Sequence, residues 1–144
     1  MPRNEHHFLS ASQIDTLLKD CFNLTDDDKT LAILVDVPDE NLQDCQDWQF
    51  RRRFALHWQE QLTRLYGNKK NINIYYYPNV GANNADLPDR FFVYTGDIEN
   101  LTAEKLQSSG KAEAVAHVLQ NTQIAIAMTQ LSATAPLKNA RTQA

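Results

Sequence analysis

Three polar stretches follow apolar runs, and they hold the residue types that could bind or transform a ligand. Asp36 and Asp39 come directly after the run Leu31-Ala32-Ile33-Leu34-Val35, with Pro38 between them. Thr129, Ser132 and Thr134 come after Ile124-Ala125-Ile126-Ala127-Met128. The third stretch, Tyr77-Pro78-Asn79-Val80-Gly81-Ala82-Asn83-Asn84-Ala85-Asp86-Leu87-Pro88, packs three asparagines, an aspartate and a glycine behind a strand-like segment. An aspartate at a strand end becomes a general base only if burial raises its pKa. Hydroxyls and free amides at the start of a helix can hold an anionic or polar group, and loops after strands are where α/β proteins carry binding residues. The same residues also have local duties, because Ser and Thr cap helices and Asn and Asp stabilise turns. The ligand-binding candidates are Asp36, Asp39, Asn79, Asn83, Asn84, Asp86, Ser132 and Thr134, and the ligand they imply is small and polar, or a peptide.

Stronger chemical signatures are missing from the sequence. His6, His7, His57 and His117 do not fall at metal-ligand spacing, and neither a His-Glu-x-x-His nor a paired Cys-x-x-Cys pattern occurs. Ser109-Gly110-Lys111 resembles the end of a phosphate loop but lacks its leading glycine and the hydroxyl residue after the lysine. No Gly-x-Gly-x-x-Gly follows the first apolar run, no Gly-x-Ser-x-Gly elbow is present, and Cys21 and Cys45 have no partner pattern for nucleophilic catalysis. No catalytic residue, metal ligand or cofactor is assigned within this chain. Arg51-Arg52-Arg53 falls in the first turns of a helix, where the dipole disfavours positive charge. It reads as a solvated face answered by Asp44, Asp47 or a neighbouring chain, with an anionic partner as the alternative.

The elements that must position these residues follow from periodicity. Ser10 caps a first helix in which Ile14, Leu17, Leu18 and Cys21 recur at helical spacing, ended by Asn23 and the acidic run 26–28. Residues 30–37 are apolar on both faces, the pattern of a strand buried between two layers. Asp47 is placed as the cap of a long helix to Tyr66, with Phe54, Ala55, Trp58, Leu62 and Leu65 as its apolar stripe and Gly67 closing it. A second strand spans 72–77, more alternating and nearer the sheet edge. A loop runs to about residue 100, with a short strand or helical turn near Phe91-Phe92-Val93-Tyr94. Residues 102–119 are helical with a break at Ser108-Ser109-Gly110, residues 123–128 form a third strand, and a final helix begins near Thr134 just before the sequence ends. Helices between strands imply right-handed crossovers and a mainly parallel sheet. The expected fold is a single α/β domain over 1–144, a three-layer α-β-α arrangement with strand order second, first, third, Rossmann-like but without the dinucleotide fingerprint. Its ligand crevice would lie beyond the carboxyl ends of the first and third strands, where the strand order reverses.

Composition narrows the function classes. The 144 residues include 42% hydrophobic and 22% charged residues, ordinary for a globular chain. A net charge of −4 argues against general binding to nucleic-acid backbones, which needs a basic surface. No stretch approaches the roughly 18 apolar residues of a membrane-spanning helix. The N-terminus lacks a secretory core, so a cytoplasmic chain with reduced thiols is expected.

Three passages carry a resemblance. They are Leu31–Asp36 followed by Trp48, Arg52-Arg53 and Trp58, then Tyr77–Pro88, then Leu131-Ser132-Ala133-Thr134-Ala135-Pro136-Leu137-Lys138. Together they resemble the N-terminal α/β region of bacterial proteins similar to the thermophilic, leucyl-type aminopeptidases. The resemblance implies that metal-dependent, peptidase-like chemistry would reside in a C-terminal domain, so this chain would be a non-catalytic module or a truncated fragment. Its partners would be that missing domain or further copies of itself. The alternatives are a stand-alone small-ligand-binding or regulatory protein using the strand-end crevice, and a small enzyme using Asp36 or Asp39 as base. A fragment would be expected to expose an apolar patch near the third strand or last helix.

Overall fold

The computed structural model describes residues 8–143, without the side chains of Ala135, Asn139 and 141–143; His6 and His7 lie outside the described residues. Its elements run α1 (Ala11–Phe22), β1 (Thr30–Val37), α2 (Gln46–Tyr66), a 3-10 turn (Gly67–Lys69), β2 (Asn71–Pro78), β3 (Arg90–Val93), α3 (Ala103–Ser109), β4 (Lys111–Ala114), α4 (Val115–Gln120), β5 (Ile124–Ala127) and α5 (Thr134–Gln143).

The chain is α/β, but the sheet departs from the expected one. Among the described residues it has five strands in the order β4-β3-β2-β1-β5 and is mixed. β1 pairs in parallel with β2 and β5, whereas β2–β3 and β3–β4 are antiparallel. The three expected strands do lie as second, first, third, yet β2 is internal rather than near an edge. The segment 111–114 is a strand instead of helix, which splits the expected 102–119 helix into α3 and α4. Nor does the last helix barely start: α5 spans ten residues.

The buried alternation of β1 explains the two-sided core. Leu31, Ile33, Val35 and Val37 pack on one face with Ile14, Leu18, Ala55, Trp58 and Leu106 from α1, α2 and α3. Ala32 and Leu34 pack on the other with Tyr75, Tyr77, Phe91, Val118 and Leu137. A strand apolar on both sides is stable only when both faces are covered.

Local signals set most of the helix ends. Ser10 and Gln13 form a reciprocal capping box, Asn23 takes the left-handed conformation at φ 54°, and Thr102 accepts the Lys105 amide. Gly67 ends α2 at φ 56°, a conformation that side-chain-bearing residues rarely adopt. Asp47 does not cap α2 but lies in its first turn; the helix starts at Gln46, two residues before that cap would place it, behind Cys45 and without a side-chain cap. The face α2 buries is Trp48, Arg52, Ala55, Trp58 and Leu62, while Leu65 is 46% exposed. The expected stripe was therefore misplaced at its last turn. Phe50 and Phe54 instead stack on each other and meet Phe8 edge-on, with centroids 5.4–5.5 Å apart. No described helix is long and apolar enough to cross a membrane. Among the described residues the exposed large apolar side chains, Phe22 and Leu65, sit in the last turns of α1 and α2.

Candidate functional site at the carboxyl ends of β1 and β5

Asp36 is fully buried, and both oxygens of its carboxylate accept hydrogen bonds. Oδ1 accepts the Trp48 indole N–H at 2.9 Å and the Gln130 amide at 2.8 Å; Oδ2 accepts the Leu131 amide at 3.0 Å. The same indole N–H also reaches the Asp36 carbonyl at 3.0 Å. One side chain thus ties the end of β1 to the first turn of α2 and to the loop leaving β5. Arg51 adds to this junction by donating from Nε to the Gln130 side-chain oxygen at 3.2 Å. Burial pushes the Asp36 carboxyl above the usual carboxylate range, against the pull of its three donors and of the Arg51 charge.

The asparagine loop docks on the same junction. Asn83 Oδ1 accepts the Ser132 amide at 2.9 Å, and the Asn84 amide donates to the Ser132 carbonyl at 2.7 Å. The Ser132 hydroxyl donates to Asn84 Oδ1 and lies 3.3 Å from the Thr134 hydroxyl. Asn84 holds φ 59°, a left-handed conformation that asparagine tolerates, and Gly81 supplies φ 85° earlier in the loop. The Thr134 hydroxyl does not cap α5, because Thr134 is the first helical residue and its amide turns back to the Ser132 hydroxyl.

Of the eight candidate residues, then, Asn83, Asn84, Ser132 and Thr134 come together, beside a junction that Asp36 holds. Asn79 belongs to the strand end: its Nδ2 donates to the Val37 carbonyl and its Oδ1 accepts the Gly81 amide. Asp39 accepts the Asn41 and Leu42 amides in its own turn, and Asp86 is exposed outside the network. Tyr77 pairs with Asp36 in the parallel register. Its hydroxyl is buried without a hydrogen-bond partner among the described residues, and burial, then the Asp36 charge, pushes its pKa up.

Sequence reasoning named Asp44 as an answer to the arginine run, which the Arg52–Asp44 pair bears out, but missed the burial of Arg52. Arg52 is 1% exposed, not part of a solvated face. Its guanidinium donates from Nε to the Ile98 carbonyl at 2.7 Å, from Nη2 to the Glu99 carbonyl at 2.9 Å, and from both terminal nitrogens to the Asp44 carboxylate at 3.1 and 2.7 Å. A planar fork satisfying four acceptors is a role lysine cannot fill. The signal was present in the spacing, because Arg52 lies four residues after Trp48 and three before Ala55, in the buried row of α2.

A second polar cluster lies at the opposite, amino ends of the strands. Tyr66 donates a short hydrogen bond to Asp15, which also bridges Lys19 at 2.8 Å. Burial pushes the Asp15 carboxyl up, but the bonds from Lys19 and Tyr66 and the charges of Lys19 and Lys70 outweigh it and hold it below the ordinary 3.8. A depressed carboxylate contributes stability above its unfolded pKa and loses it as pH falls through the folded one. Urea midpoints should therefore drop more steeply below about pH 4 for the native chain than for Asp15→Asn, while the two curves run parallel from pH 5 to 7.

Among the described residues no three His, Cys, Asp or Glu side chains gather as metal ligands. No protein-family model, curated protein or solved structure matches the chain. The aminopeptidase resemblance gains no support from these comparisons.

Proposed function

We propose that this chain is a non-catalytic α/β module, in the manner of the N-terminal domain of an aminopeptidase-like metallohydrolase. The loops at 79–86 and 130–134 form a preset rim for a substrate site completed by another domain or subunit. One observation carries this: the Asp36 carboxylate, the acid at the carboxyl end of β1, is buried and bonded to two backbone amides and an indole. A general base must come within hydrogen-bond reach of the proton it takes, and Asp36 is fully buried beneath the groups that donate to it. Helices on both faces of the sheet fit the three-layer form of such a module. In an assay with leucyl-p-nitroanilide and added Zn²⁺, Co²⁺ or Mn²⁺, the purified chain should give no turnover above the metal blank. Turnover that Asp36→Asn abolishes would sink the proposal.

The second reading, a small polar ligand bound at the same rim, is favoured by Tyr77. A buried hydroxyl without a partner among the described residues is costly, and a ligand that hydrogen-bonded to the Tyr77 hydroxyl would relieve it. A saturable rise in the melting midpoint with a small polar ligand, lost in Tyr77→Phe, would decide for this second reading.

A further inference from the structure

The amino ends of β1 and β2 open onto a cavity of about 540 Å³ whose walls divide by chemistry. Lys19, Lys29, Lys69 and Lys70 line it against Asp15 and Asp26, an excess of two positive charges in a chain of net charge −4. Leu24 and Leu65 supply its apolar wall. The volume falls in the ordinary range for small-molecule sites.

The lysines are placed by the fold rather than scattered. Lys70 is buried, its ammonium bonded to the Thr25 and Asp28 carbonyls at 2.7 and 2.6 Å and lying 5.3 Å from the centre of the Tyr66 ring. It clamps the 25–28 turn against the start of β2. The backbone of Lys29 is held from both sides, its amide by the Gln123 side chain and its carbonyl by the Asn71 amide. Among the described residues the Lys29 ammonium bonds to a neutral carbonyl, that of Asp26, and to no carboxylate. Lys69 is exposed and makes no hydrogen bond or ion pair among the described residues. Leu65, in the exposed last turn of α2, is one of two large apolar side chains left exposed among the described residues.

We infer that this cavity binds a small organic anion, a carboxylate or phosphate head on a short apolar body, with Lys29 and Lys69 holding the head and Leu24 and Leu65 covering the body. Charge and apolar surface side by side select such a ligand over inorganic phosphate or a neutral molecule. Exposed Asp20 and Asp27, next in sequence to Lys19 and Asp26, oppose an anionic bilayer and so favour a free small molecule. This site is at the other end of the sheet from the rim proposed above and is independent of it.

Octanoate and inorganic phosphate, titrated into the full chain by calorimetry at low salt, test the site. Octanoate should bind saturably. It should weaken about tenfold in the double variant Lys29→Ala/Lys69→Ala, the effect of two exposed charge contacts. Leu65→Ser should weaken octanoate about fivefold and leave phosphate unchanged, since only the apolar body is lost. All three positions are exposed, and melting curves check that each variant folds. Absence of saturable octanoate binding by the native chain, binding unchanged in the double variant, or phosphate binding as tightly as octanoate would each overturn the inference.

Discussion

Replacing Arg52 with methionine should lower the unfolding free energy by about 3 kcal/mol, because removing one member of a buried, hydrogen-bonded charge pair strands the groups it served. Methionine keeps most of the stem that packs in the α2 row, so the loss isolates the guanidinium. The stranded groups are the Asp44 carboxylate and the Ile98 and Glu99 carbonyls. They belong to the turn before α2 and to the loop before α3, so both segments should loosen together. Arg52→Lys should recover only part of the loss, since an ammonium cannot span two loops as a fork. Arg53→Ala is the control: this neighbour is exposed and should change stability by less than about 0.5 kcal/mol. Urea unfolding of the three variants checks the ranking. Equal losses at positions 52 and 53 would show that the buried fork contributes nothing.

Arg52 also shows where the sequence was legible and where it was not. Its position was readable, since buried rows on a helix recur every three or four residues, and 48, 52, 55, 58 and 62 obey that rule. Its burial was not, because three consecutive arginines read as a solvated face until the acceptors around one of them are known. The core strand β1 was legible because six apolar residues out of eight, falling on both faces, leave few other options. Strand β4 was missed for the opposite reason. Lys111-Ala112-Glu113-Ala114 is made of helix formers, and only pairing with Arg90–Val93, about twenty residues away, makes it extended. That pairing adds an antiparallel half to the sheet. The strand ends that form the candidate site were placed correctly for the same reason as β1, since they follow from where the apolar runs stop. What Asp36 does there depends on donors 12, 94 and 95 residues away, which no local pattern encodes.

Asp36 is where the structural and catalytic accounts separate most sharply. Asp36→Ala should cost about 3 kcal/mol, because the Gln130 and Leu131 amides lose a charged acceptor and a buried gap replaces it. The indole of Trp48 keeps the Asp36 carbonyl as acceptor, which limits the damage at α2. Asp36→Asn should cost about half as much: one oxygen survives, but the new N–H₂ group faces a donor where the carboxylate faced it with an acceptor. The pH dependence has a definite sign. Burial raises the Asp36 carboxyl above its ordinary 3.8. A raised pKa means that the folded state holds the proton more tightly than the unfolded one, so this group's contribution is greatest below 3.8 and declines as pH rises through the folded value. The stability deficit of Asp36→Asn should accordingly be largest below about pH 4 and shrink as pH rises. Hydrogen exchange adds a local readout, since the Gln130 and Leu131 amides should lose protection in Asp36→Ala while amides in the middle of β1 keep theirs. If both variants keep native stability and those amides stay protected, the carboxylate is not holding the junction. It would then be free for chemistry, and the non-catalytic proposal would fail with it.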